Sequence, residues 1–134
     1  MDPYIYSVMP VSSDEDYQKK RAHLSSVARE FELSVHFPLD RGLPEFGKEF
    51  DLVRVVDEIK RAALVIADLS LERPSCYYEL GLAQALGAQV ILIARVDTNI
   101  HQAFGRNSVT QFRDLQEYPS VVRQSLRKAR GLEA

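Results

Sequence analysis

A single cysteine, Cys76, makes an intramolecular disulfide impossible and leaves no sign of an oxidising compartment. Long apolar runs are missing too. The most apolar stretch, residues 80–94, is interrupted by Gln84, Gly87 and Gln89. A membrane span needs about 20 predominantly apolar residues, so this stretch is read as protein core and no membrane partner is expected. Neither sign of charge dominates: 17 Lys+Arg against 19 Asp+Glu give a net charge of -2. That excludes a nucleic-acid binder working through a strong electrostatic footprint, but not a small anionic ligand, which needs only a local cradle. Met1-Asp2-Pro3-Tyr4 lacks the basic region and apolar core of a signal peptide, so the expected location is cytoplasmic. A Gly-rich Walker loop and a dinucleotide fingerprint are both absent. His23, His36 and His101 lack metal-ligand spacing, and one cysteine makes no zinc site. No metal and no resident cofactor are expected.

What remains is an ordinary globular composition, 46% hydrophobic and 27% charged, of a length that suits one domain over residues 1–134. Residues 4–9 read as a strand stopped by Pro10. Ser12-Ser13-Asp14-Glu15-Asp16 reads as a helix start, with hydroxyls to accept from free N–H groups and acids at the positive end of the dipole. Tyr17, Leu24, Val27, Ala28 and Phe31 continue at helical spacing to about Glu32. Leu33, Val35 and Phe37 alternate with polar residues as in a half-exposed edge strand. A Pro- and Gly-containing loop, 38–48, precedes a helix over about 49–63, with Leu52, Val53, Val56, Ile59 and Ala63 on one side. Residues 64–67 and 90–94 are apolar on both faces, as in central parallel strands covered by helices. A helix over 74–87 lies between them. A polar loop, 95–108, leads to a weak strand, 109–112, and a last helix, about 119–130. This alternation predicts an α/β doubly wound fold of the flavodoxin or Rossmann-like kind. Its five-stranded, mostly parallel sheet has the order 2-1-3-4-5. Ligands of such sheets bind beyond the C-terminal strand ends, which brings residues 9–11, 68–70 and the loop after Arg95 around one mouth.

Glu79 is the only charged residue between Pro74 and Ala94, in a chain of which 27% is charged. On a helix its neighbours are Ser75, Cys76, Leu82 and Ala83, so the carboxylate sits on or beside an apolar stripe. Burial raises a glutamate pKa, while a helix N-terminus favours the anion. Competing environments of this sort suit a catalytic carboxylate. The plain alternative is a rim glutamate paired with a nearby Arg or Lys.

Ala67-Asp68-Leu69-Ser70 followed by Pro74-Ser75-Cys76-Tyr77-Tyr78-Glu79-Leu80-Gly81-Leu82-Ala83-Gln84-Ala85-Leu86-Gly87 resembles the nucleoside 2-deoxyribosyltransferase-like superfamily, and more narrowly its TIR-like branch. The opening strand with Met9-Pro10 is similar too, so the resemblance spans most of the chain. It implies that Glu79 attacks or stabilises the anomeric carbon of a nucleoside or nucleotide, with NAD a candidate substrate. Two positions depart from the superfamily pattern. Arg73, with Glu72 beside it, stands where deoxyribosyltransferases usually carry an acid, and Pro74-Ser75 replaces a Gly-containing turn.

Cleaving a glycosidic C–N bond develops oxocarbenium character, which a nearby anion stabilises or captures. Asp68, at a strand end, is the candidate second acid or ribose-hydroxyl ligand, with a turn cap as the plain alternative. Ser70 and Ser75 are candidates to donate to a phosphate or sugar, or plain N-caps. Tyr6 and Tyr77 are candidates to stack on a base, against the commoner role of core tyrosine. Met9 and Pro10 border the mouth, and Asp40 and Arg41 either reach the ligand or form a solvated pair. Cys76 reads as a packing residue. A phosphoacceptor receiver domain would use Asp68 but needs acids where Met9-Pro10 stands and a lysine where Arg113 stands, so that function is excluded. The loop over 95–108, holding Ile100, Ala103 and Phe104, is long for this fold, and the resemblance implies a homodimer packed across it. A binding or signalling module of the same fold, without turnover, is the competing function.

Overall fold

Period-two alternation along the central strands decides which helix covers which side of the sheet. The computed structural model describes residues 3–11, 14–38, 51–101 and 103–132. Its elements are β1 (Tyr4–Val8), α1 (Tyr17–Arg29), β2 (Ser34–His36), α2 (Leu52–Arg61), β3 (Leu64–Asp68), α3 (Pro74–Ala85), β4 (Val90–Arg95), β5 (Thr110–Phe112) and α4 (Tyr118–Ala129). All five strands pair in parallel in the order β2-β1-β3-β4-β5. The expected strand order and the edge position of β2 both hold.

In β3, Leu64 and Ile66 point to one face and Val65 and Ala67 to the other. Every residue of this strand is buried, because helices cover both sides. Ile5, Ile93 and Phe112 join Leu64 and Ile66 beneath α1 and α4. Tyr6, Val8, Leu92 and Ala94 join Val65 and Ala67 beneath α2 and α3. Full burial of a Leu, Ile or Phe contributes about 1.5–3 kcal/mol before entropy is counted, so these two layers are the main source of cohesion.

Three local expectations need correction. The first helix begins at Tyr17 and ends at Arg29, short of Glu32. Asp14 precedes it, accepting from the backbone N–H of Asp16 at 2.9 Å in place of a first-turn role; Ser12 and Ser13 lie outside the described residues. The buried side of α2 is Val55 and Ile59, with Ala62 packed against them, whereas Leu52 and Val53 are 44% and 81% exposed. Two stripes of this helix fit the same 3.6 period, and packing against β1 and β3 selects the second. Asp51, whose carboxylate accepts from the Arg54 N–H at 3.1 Å, supplies the N-cap. The last helix starts at Tyr118, which is buried. Among the described residues no helix is long and apolar enough to cross a membrane.

Candidate functional site

β3 ends in a carboxylate with nowhere to meet water. Asp68 is 1% exposed, and alternation turns it toward α1. There its Oδ2 accepts from Lys20 Nζ at 2.9 Å, while Oδ1 accepts from the Ser70 N–H at 2.9 Å. Lys20, 3% exposed, also donates to Asp14 Oδ2 at 2.6 Å. Its ammonium lies 5.0 Å from the centroid of the Phe112 ring and 5.8 Å from that of Tyr118. Burial pushes the Lys20 pKa down, but the Asp68 charge and the hydrogen bonds Lys20 donates to Asp14 and Asp68 outweigh it, leaving the pKa above the ordinary lysine value of 10.5. The Tyr118 hydroxyl is pushed well above its usual range by burial and by the Asp68 and Asp14 charges.

Asp68 is paired with Lys20 and caps the following turn, buried away from solvent. The turn-cap alternative is the one observed. The turn that follows is strained: Leu71 and Glu72, neither of them glycine, have φ of 66° and 49°. Left-handed backbone costs about 1–2 kcal/mol per residue. Ser70 anchors this turn, being buried with its Oγ accepting from the Arg95 N–H at 2.9 Å. Its hydroxyl clips the ends of β3 and β4 together at the wall of a cavity beyond the strand ends.

Glu79 arrives from the other side of the sheet. Pro74 opens α3, and Cys76, Leu80 and Ala83 form the helix's buried stripe. Glu79 adjoins that stripe and is half-buried. Its Oε1 accepts from the Tyr6 hydroxyl of β1 at 2.6 Å, a short charge-assisted geometry. The Tyr6 ring is wholly covered, so base stacking gives way to hydrogen-bond donation. His36, the register partner of Tyr6 on β2, packs on it with ring centroids 5.6 Å apart. Tyr6 was expected to stack on a base and His36 was passed over as a site residue, because each contact joins elements far apart in sequence. The only local signal was alternation, which places Tyr6 and His36 on the same face of neighbouring strands.

The remaining expected residues divide. Ser75 is exposed in the first turn of α3. Tyr77 is half-buried; its hydroxyl accepts from the His101 N–H at 3.0 Å and its ring meets the His101 ring edge-on. A base stacking there would have to displace His101. Met9 packs against the core beneath α1 and α4, and Pro10 is buried, so neither side chain reaches toward Glu79. Asp40 and Arg41 lie outside the described residues. Cys76 is buried, and burial with the Glu79 and Asp68 charges pushes its thiol up to about 12, which suits packing and not nucleophilic attack.

Beyond the strand ends a cavity of about 320 Å³ lies between Asp14, Lys20, Leu71, Arg95 and Asp97. It lies on the Asp68 side, and Glu79 is not in its wall. Among the described residues no three His, Cys, Asp or Glu side chains group as a metal site requires.

No protein-family model and no curated protein sequence matches the chain. Among solved structures it is similar to the CMP N-glycosidase of Clostridium botulinum, with TM-score 0.63 and 19% identity over 87% of this chain and 94% of that one. It is similar to the 2-deoxyribosyltransferase of Bacillus psychrosaccharolyticus, with TM-score 0.58 and 20% identity over 87% and 90%. The 2-deoxyribosyltransferase of Leishmania mexicana matches with TM-score 0.53 and 22% identity, over 69% of this chain and 64% of that one. At these identities the likeness is one of fold: the chain has the nucleoside 2-deoxyribosyltransferase-like fold.

Removing the Lys20 charge tests the buried cluster. Lys20→Met leaves two carboxylates without their counter-charge and should lower stability by about 3–5 kcal/mol at neutral pH. Because the folded pKa of Lys20 is raised, its contribution is complete below pH 10.5 and fades as pH rises through the folded value. In urea unfolding the gap between the two proteins should therefore begin to narrow only above pH 10.5 on the alkaline side. A gap under about 1 kcal/mol, the value of an exposed pair, contradicts this reading.

Proposed function

We propose that the chain cleaves the base–sugar C–N bond of a nucleoside or nucleotide, with Glu79 as the catalytic carboxylate. The observation that carries the proposal is the 2.6 Å hydrogen bond from Tyr6 to Glu79 Oε1. A phenol donor fixes one carboxylate oxygen and with it the orientation of the group toward an anomeric carbon. As the C–N bond lengthens, positive charge gathers on the sugar, and the carboxylate stabilises it or closes on it as an ester. Water or a second base then completes hydrolysis or exchange. Ser75, exposed at the start of α3, is placed to donate to a sugar or phosphate oxygen. The fold shared with a CMP N-glycosidase and with deoxyribosyltransferases supports this class of substrate.

A second reading places the chain in the TIR-like branch as a nucleotide-binding or signalling module without turnover. One observation favours it: Asp68, the expected partner acid, is withdrawn into the pair with Lys20. NAD is the candidate ligand that separates the branches, since the TIR-like reading favours it over nucleosides.

On either reading the chain acts as one domain, in the cytoplasm, and as a homodimer joined through residues 95–108. Ile100 and Ala103 of that segment pack inward while Phe104 is 85% exposed. Light scattering at high micromolar concentration should report a dimer; a monomer contradicts the assembly.

Incubation of the protein with CMP, deoxynucleosides and NAD, followed by chromatography for free base, tests the activity. Base release from at least one is expected, and Glu79→Gln should slow it by about 10²-fold or more while binding survives. Its melting temperature should hold or rise, by about 1 kcal/mol in stability, since a carboxylate kept for function on an apolar surface opposes folding. Unchanged turnover in folded Glu79→Gln protein rules out the catalytic role. Binding of NAD without base release favours the second reading.

A further inference from the structure

We infer that His36 is a positioning residue for Glu79, acting through the ring of Tyr6 and tied to α2 by Glu58. The inference rests on the reading of Glu79 as the functional carboxylate and adds a support that reading does not require.

Tyr6 and His36 are paired in register across two parallel strands, so both side chains rise from the same face of the sheet. The His36 ring is wedged between two tyrosines. It tilts 36° against Tyr6 at 5.6 Å and meets Tyr4 edge-on at 5.8 Å. Its backbone carbonyl accepts from Ser7 Oγ at 3.1 Å, which fixes the strand beneath it. Its Nε2 lies 2.9 Å from Glu58 Oε2, a close polar contact whose angle is poor for a hydrogen bond. Glu58 is held from a second direction, because the Tyr4 hydroxyl donates to its backbone carbonyl. The imidazole therefore spans from α2 to the ring that orients Glu79.

The geometry leaves little slack. Tyr6 is 0% exposed, so the groups packed on its ring constrain the direction of its hydroxyl. At 2.6 Å from Glu79, a displacement of about 1 Å takes that bond beyond hydrogen-bond range. An apolar side chain would fill the space beside Tyr6 but would lack the tie to Glu58. A histidine at the end of an edge strand, turned inward onto an acid, fits a positioning role better than simple filling.

The test reads the Glu79 carboxylate directly, so it does not depend on turnover. With ¹³C-labelled glutamate in the full chain, the Glu79 carboxyl resonance is followed against pH. Tyr6→Phe removes the donor and should raise the midpoint by about one pH unit. His36→Ala should raise it by most of that amount, and the double variant by no more than Tyr6→Phe alone, because both act through one bond. His36→Phe, which refills the ring space, should recover part of the wild-type value. Should His36→Ala fail to fold, His36→Gln, which keeps a polar group toward Glu58 but no ring, is read in its place. A Glu79 midpoint unmoved in the folded His36 variant overturns the inference, even where its melting temperature falls. Failure of the catalytic reading shows separately, as wild-type protein that releases no base while these titrations remain measurable.

Discussion

The pair between Lys20 and Asp68 is the constraint on which the sheet's C-terminal edge depends. It joins α1 to the end of the central strand at 2.9 Å, and the same ammonium reaches Asp14 and the rings of Phe112 and Tyr118. Ion pairs this buried seldom add much net stability, because desolvation offsets the attraction. Their effect is on arrangement: either partner left alone is strongly unfavourable, so α1, β3, β5 and α4 have one mutual placement that satisfies all the charges. That placement holds the strained turn at Leu71 and Glu72, from which α3 departs carrying Glu79.

The consequence is a division of labour between two carboxylates that follow one another closely in sequence. Asp68 is consumed by structure. Glu79, on the opposite face, is half-buried and aimed by a phenol that is itself packed in place. A single oriented carboxylate beside an apolar stripe stabilises a developing sugar cation more strongly than one in open water, because less dielectric screening intervenes. For the proposed cleavage, the separation leaves protonation of a leaving base to another group or to water.

The fold was legible because its signals are local. Residues 64–67 and 90–94 are apolar on both faces, a pattern that only helices above and below a sheet can satisfy, and the strand order followed from it. Glu79 stood out through contrast, as one charge in a long uncharged stretch, and its proposed role rests on that contrast and on the Tyr6 bond. The errors share a physical origin. Val55 and Ile59 form the covered side of α2, but Leu52 and Val53 fit the same period, and only contact with the sheet separates them. Asp14 looked like a first-turn acid because its partner Lys20 is revealed by folding. Asp68 and Lys20 are 48 residues apart and Tyr6 and Glu79 are 73 apart. Pairings at that range leave no periodic trace, so the pairing of Asp68 with Lys20 was not visible and His36 passed as a scattered histidine.

Which carboxylate faces the ligand is the central question, and backbone amide shifts on titration with CMP and with NAD answer it most directly. The assignment of Glu79 to function and Asp68 to structure predicts shifts concentrated at Tyr6, His36 and the first turns of α3. Lys20, Ser70 and Arg95 should stay close to their starting positions. Shifts concentrated instead at Asp14, Lys20, Leu71 and Arg95, around the cavity on the Asp68 side, would contradict it.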